Sequence, residues 1–155
     1  MATRNPIVYV RGFAGGTGGI NKAVDDPLYG FNEGSTHVRV GADEKPQFFQ
    51  FEGPILRLIG DGYKVPVHGS QHAFLEVQPD HSISDPAIWV HRFYDPSATT
   101  WDGNAVSFSI EDAAKSLFEL VGLVLQKSVA TKVDLVAHSM GGLICRSMIQ
   151  KVIPE

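Results

Sequence analysis

"VDLVAHSMGGLICR", residues 133–146, changes character in its middle. Val133 to Ala137 is a short apolar run that reads as a strand, and Met140 to Val152 resumes as an amphipathic helix that Pro154 stops. Between them, His138 and Ser139 fall in a tight strand-to-helix turn. Such a turn holds its central residue strained and exposed, and strand and helix pass so closely that the residues two before and two after must be small. Here these are Ala137 and Gly141, with Gly142 as a third small residue. A serine hydroxyl near neutral pH is a weak nucleophile, so a reactive one needs exposure, a base and donors aimed at the developing oxyanion. Ser139 is therefore a candidate nucleophile. Plain helix capping by Ser139 is the alternative, and it would not require small residues on both sides. The Met140 N–H, unsatisfied at the start of its helix, is one candidate oxyanion donor.

A second donor has to come from another strand end. Pro6 to Val10 reads as a short buried strand, followed by Arg11-Gly12-Phe13-Ala14-Gly15-Gly16-Thr17-Gly18-Gly19, a run expected to be irregular loop. Within it, Gly12, Phe13, Ala14 and Gly15 form the candidate oxyanion loop, and the Phe13 N–H is the second donor. A plain tight turn is the other reading of these glycines. A phosphate cradle is not supported, because the segment departs from the dinucleotide fingerprint and no Gly-Lys-Ser/Thr follows.

The rest of the chain fills in an α/β pattern. Residues 21–50 are polar and turn-rich and read as an insertion outside the core, with Thr36 to Val40 as one arm of a small hairpin. Pro54 to Ile59 reads as a short helix and Tyr63 to Val67 as an edge strand, since Pro66 cannot donate to a ladder. Residues 68–86 read as loop, and Ala87 to Tyr94 as a strand. Ser109-Ile110-Glu111-Asp112 is a capping signature, and Ala113, Leu117, Leu120, Val121, Val124 and Leu125 recur behind it at helical spacing, predicting a helix over 110–127. Strands alternating with helices predict a mostly parallel sheet with helices on both faces.

Composition narrows the function classes. With 155 residues, 43% hydrophobic and 19% charged, the chain suits one globular domain. Its 13 Lys and Arg are scattered and its net charge is −4, so no basic stripe fits a nucleic acid backbone. The start of the chain lacks the features of a secretory signal, and no apolar run is long enough to span a bilayer, so the expected location is the cytoplasm. The single cysteine, Cys145, reads as a core residue, and no metal cluster or cofactor motif is seen.

"VDLVAHSMGGLICR" together with "VYVRGFAGG" upstream resembles the lipase and esterase branch of the α/β-hydrolase superfamily. The turn with Ala in its first small position is similar to those of triacylglycerol lipases and of inositol-deacylase-like (PGAP-type) hydrolases. The resemblance implies Ser139 as nucleophile and the Met140 and Phe13 amides as oxyanion donors. It implies hydrolysis of a carboxylic ester, of a lipid or another acyl compound, through an acyl-enzyme and without a cofactor. An acyltransferase or thioesterase with the same turn, or a non-catalytic hydrolase-like binding module, is the alternative. One departure lies at Arg11, where such lipases usually carry histidine. His138 is read as a packing residue and not as the base.

In such hydrolases the acid and the histidine follow the serine, yet the residues after Ser139 include neither Asp nor His. His37, His68, His72, His81 and His91 precede it, and a rearranged triad using one of them with Asp95 or Asp102 is an alternative. The expectation is instead an α/β-hydrolase domain represented by its N-terminal part over 1–155, with a lid-like insertion at about 17–50 roofing an acyl pocket. The strand at 133–137 would then keep an open edge, available for pairing with another chain.

Overall fold

A computed structural model describes residues 4–26, 29, 33–40, 42, 44–49, 52–65, 71–100 and 105–154. In chain order the elements are β1 (Ile7–Val10), α1 (Thr17–Asp25), β2 (Glu33–Val40), β3 (Pro46–Phe49), α2 (Glu52–Gly60), α3 (Gln71–Glu76), β4 (Ile88–Val90), α4 (Ile110–Lys127), β5 (Asp134–Ala137) and α5 (Met140–Ser147). A short 3-10 turn covers Asp95–Ser97, and α5 runs on into a wider π turn at Met148–Val152.

The class is mixed α/β. β1 is the centre of a parallel three-stranded sheet, with β4 on one side and β5 on the other. Val8 lies opposite Trp89 and Leu135, and Val10 opposite Ala137. Every side chain of β1 and β4 is buried, so both faces of these strands are covered. Continuous apolar runs such as Ile7-Val8-Tyr9-Val10 follow from that double burial. β5 differs: its side chains are largely exposed, Val136 by 42%, and its only strand partner among the described residues is β1. β2 and β3 pair antiparallel as a separate hairpin. α5 packs against β1, β5 and α4, and α3 packs against α4. Cys145 is buried among these contacts.

α4 matches its predicted limits because its start and its face agree. Ser109 Oγ accepts the Asp112 N–H at 3.2 Å, and Ala113, Leu117, Leu120 and Val124 form the buried stripe.

Other segments depart from expectation. The glycine run does not stay irregular: α1 begins at Thr17, with Gly16 as N-cap at φ 89°. A side chain at Gly19 would overlap the Ala14 carbonyl oxygen, so only glycine lets the loop fold back on this helix. Residues 21–50 are not wholly outside the core either, since Ala23, Val24 and Tyr29 are buried in it. Asn21 fastens α1 to Thr99, donating to the Thr99 hydroxyl at 2.8 Å and accepting the Thr99 N–H at 2.9 Å.

The predicted loop at 68–86 contains α3. This helix of six residues is too short to show a period, and its contacts with α4 and β4 stabilise it. Buried Gln71 accepts the Val90 N–H on its Oε1 at 2.7 Å, filling a place on the outer edge of β4. The Ala87 to Tyr94 strand is shorter than predicted, its ladder ending at Val90. Of Tyr63 to Val67, Lys64 forms one parallel bridge to Ala87, while Pro66 and Val67 lie outside the described residues. No helix among the described residues is long and apolar enough to cross a membrane.

Candidate functional site

At the end of β5 the backbone reverses within two residues. Ser139 has φ 53° and ψ −120°, a conformation that side-chain-bearing residues seldom adopt. Three hydrogen bonds fix the turn: His138 N–H to Val10 O at 3.0 Å, Gly141 N–H to His138 O at 2.9 Å and Gly142 N–H to Ser139 O at 2.9 Å. α5 then starts so close to β1 that a side chain at Gly141 would overlap the Val10 carbonyl oxygen and lie 2.7 Å from that of Arg11. Open space surrounds Gly142, so the close approach rests on Gly141 and not on both glycines. Ala137 pairs with Val10 and is exposed at the edge of the sheet.

The loop after β1 crosses directly over this turn. A Cβ at Gly12 would sit 2.9 Å from Ser139 Cβ and 2.9 Å from His138 Nδ1, so any larger residue would push the loop off the serine. Phe13 follows, 68% exposed, and Gly15 turns the chain at φ 76°. Among the described residues, the N–H groups of Phe13 and Met140 donate to no acceptor, and Ser139 Oγ makes no hydrogen bond. An exposed hydroxyl is thus joined by unused backbone donors from two strand ends.

Sequence reasoning passed over the tyrosines that hold this loop. Tyr94, buried after β4, accepts the Ala14 N–H on its phenol oxygen at 3.2 Å. Its own N–H donates to the Tyr29 phenol oxygen at 2.6 Å. Arg11, 7% exposed, reaches the Tyr29 carbonyl oxygen with Nη1 at 3.4 Å, while its Nε is buried without a partner. Burial pushes the Tyr94 phenol above its ordinary pKa, and the Ala14 N–H and the Arg11 charge only partly offset this. The phenol therefore stays neutral as an acceptor for the loop. The only sequence signal was the aromatic run Phe93-Tyr94 at a strand end.

Arg92 extends the tie. It donates to Val24 O at 3.1 Å, pairs with Asp95 Oδ2 at 2.8 Å and lies 4.6 Å above the Tyr29 ring. Burial raises the Asp95 pKa, and Arg92 pulls it back.

None of the described imidazoles hydrogen-bonds Ser139. His91 Nε2 is bound to Ala113 O at 2.8 Å, His81 Nδ1 to Ser128 O at 3.0 Å, and His72 lies 3.9 Å from Glu76. His138 is half-buried against Gly12. Asp95, one proposed orienter, is engaged by Arg92. His68 and Asp102 lie outside the described residues, as does the side chain of His37. Among the described residues, no three His, Cys, Asp or Glu side chains cluster as a metal site would require. No protein-family model matches the sequence, and no curated protein or solved structure matches it significantly.

Proposed function

We propose that the chain is a serine hydrolase of the α/β-hydrolase type that cleaves carboxylic esters of lipids or other acyl compounds. The observation that carries this reading is the positive φ of Ser139, a strained non-glycine residue placed between a parallel strand and a helix, with Gly12 against its side chain. Backbone strain of this kind costs about 1–3 kcal/mol and persists where exposure of the side chain is useful.

Ser139 Oγ attacks the ester carbonyl carbon and loses its proton to a base. The carbonyl oxygen becomes an oxyanion, which the Phe13 and Met140 N–H groups are free to bind. Collapse breaks the bond to the alcohol oxygen, which leaves with a proton, and water then releases the acid from Ser139. The base is supplied from outside the described residues. The lid-like role narrows to the β2–β3 hairpin, because α1 and Tyr29 are anchored in the core.

That no described imidazole hydrogen-bonds Ser139, together with the open edge of β5, favours a second reading, a hydrolase-like module that binds a partner without catalysis. Intact-mass detection of fluorophosphonate labelling separates the two, with Ser139→Ala as control. An adduct on the unaltered chain that is lost in the variant is the expected result. A folded chain that stays unlabelled would overturn the catalytic reading for this chain and leave the module.

A further inference from the structure

A separate cavity of about 390 Å³ opens at the carboxyl end of β4, between the first turns of α3 and α4. Val90, Phe93, Val106, Phe108 and Leu120 make its wall apolar, and neither the loop Gly12 to Gly15 nor Ser139 and Met140 line it. Cavities of this size and character are the usual form of small-molecule sites. Two spacings between neighbouring strands, roughly 10 Å, separate the ends of β4 and β5.

His91, only 3% exposed, is the buried imidazole of a wall that also carries Gln71, His72, Arg92, Asp95, Asp112 and Ser116. Its Nε2 lies 2.8 Å from the Ala113 carbonyl oxygen, which can only accept, so Nε2 carries the hydrogen. The Ser116 hydroxyl also contacts Nε2, at 3.4 Å. Burial, partly offset by the Ala113 bond, lowers the pKa of the ring to about 4, so at neutral pH the ring is uncharged. A neutral imidazole with its hydrogen on Nε2 presents a bare lone pair on Nδ1, and among the described residues no donor meets it. Nδ1 is not sealed from solvent, so a donor that enters the cavity can reach it.

The rest of the wall narrows the ligand. The Phe93 ring lies 5.3 Å from the imidazole and 5.7 Å from the Phe108 ring, both tilted, which suits a flat apolar body. Arg92 and Asp95, also in the wall, are paired with each other at 2.8 Å. We propose that this cavity binds a small uncharged ligand with a hydroxyl on an aromatic or similarly flat apolar body, the hydroxyl donating to His91 Nδ1. The site does not depend on Ser139 being catalytic.

Phenol and toluene are probes of nearly the same shape that differ in the donor. Histidine-ring nitrogen NMR on the full chain, labelled with nitrogen-15, reads the acceptor directly. The expected result is an unprotonated His91 Nδ1 whose resonance moves upfield and saturates with phenol but does not move with toluene. Three results would each overturn the proposal: no movement up to the solubility limit of phenol, equal movement with toluene, or a ligand-free ring that carries its proton on Nδ1. The substitution is in the probe, so the outcome does not hinge on whether a variant folds.

Discussion

Tyr94 and Gly141 each constrain a segment that meets at Ser139, the loop after β1 and the start of α5. Tyr94 holds the loop through the Ala14 N–H, so Tyr94→Phe removes that acceptor and leaves the amide unpaired. The cost is about 1 kcal/mol. Amide exchange at Ala14 should accelerate in the variant, measured residue by residue by NMR, while amides in α4 keep their rates. Gly141 has no room for a methyl group against the Val10 and Arg11 carbonyl oxygens. Overpacking against backbone costs about 3 kcal/mol, so Gly141→Ala should lower the melting temperature by about 6–12 °C in a calorimetric scan. Gly142→Ala faces open space and serves as the control. Gly141 could be read from the strand-to-helix pattern, because the small-residue rule is local. Tyr94 could not, since its partner Ala14 is 80 positions away in sequence.

Among the elements, those whose signal lay inside their own sequence were legible. α4 carries a cap, a helical stripe and no proline, and its 18 residues run over the predicted limits. Ser109→Ala should therefore destabilise the chain by about 1 kcal/mol, lowering the melting temperature by roughly 2–4 °C, with native helix content by circular dichroism at low temperature. β1 and β5 were also readable, as apolar runs bounded by turns. α1 was hidden because Thr17-Gly18-Gly19 has poor helix propensity, and the need for glycine at position 19 arises only from the Ala14 carbonyl oxygen packed against it. α3 was hidden because its support comes from α4 and from the Gln71 bond to β4.

At the scale of the whole molecule, the buried His91 ties stability to pH. Its folded pKa of about 4 lies below the ordinary value of 6.5, so between these values the unfolded chain binds the proton and the folded chain does not. Stability from this group is complete above pH 6.5 and is lost as pH falls through 4, by about 3 kcal/mol. Urea denaturation at pH 7 and pH 4 should show this difference, reduced in His91→Phe. The open edge of β5 is also a property of the assembled sheet. Val136 is exposed, and no second strand among the described residues pairs with β5.

The sequence by itself determined the alternation of strand and helix, the cap of α4, and the small residue at Gly141 behind the turn that carries Ser139. These depend on neighbours within a few residues, where propensity and periodicity act. Only the tertiary structure decided that Gly12 lies on Ser139, that Tyr94 and Tyr29 hold the loop, and that His91 is buried and uncharged. Such contacts join residues remote in sequence, and burial and distance, which set their chemistry, exist only once the chain has folded.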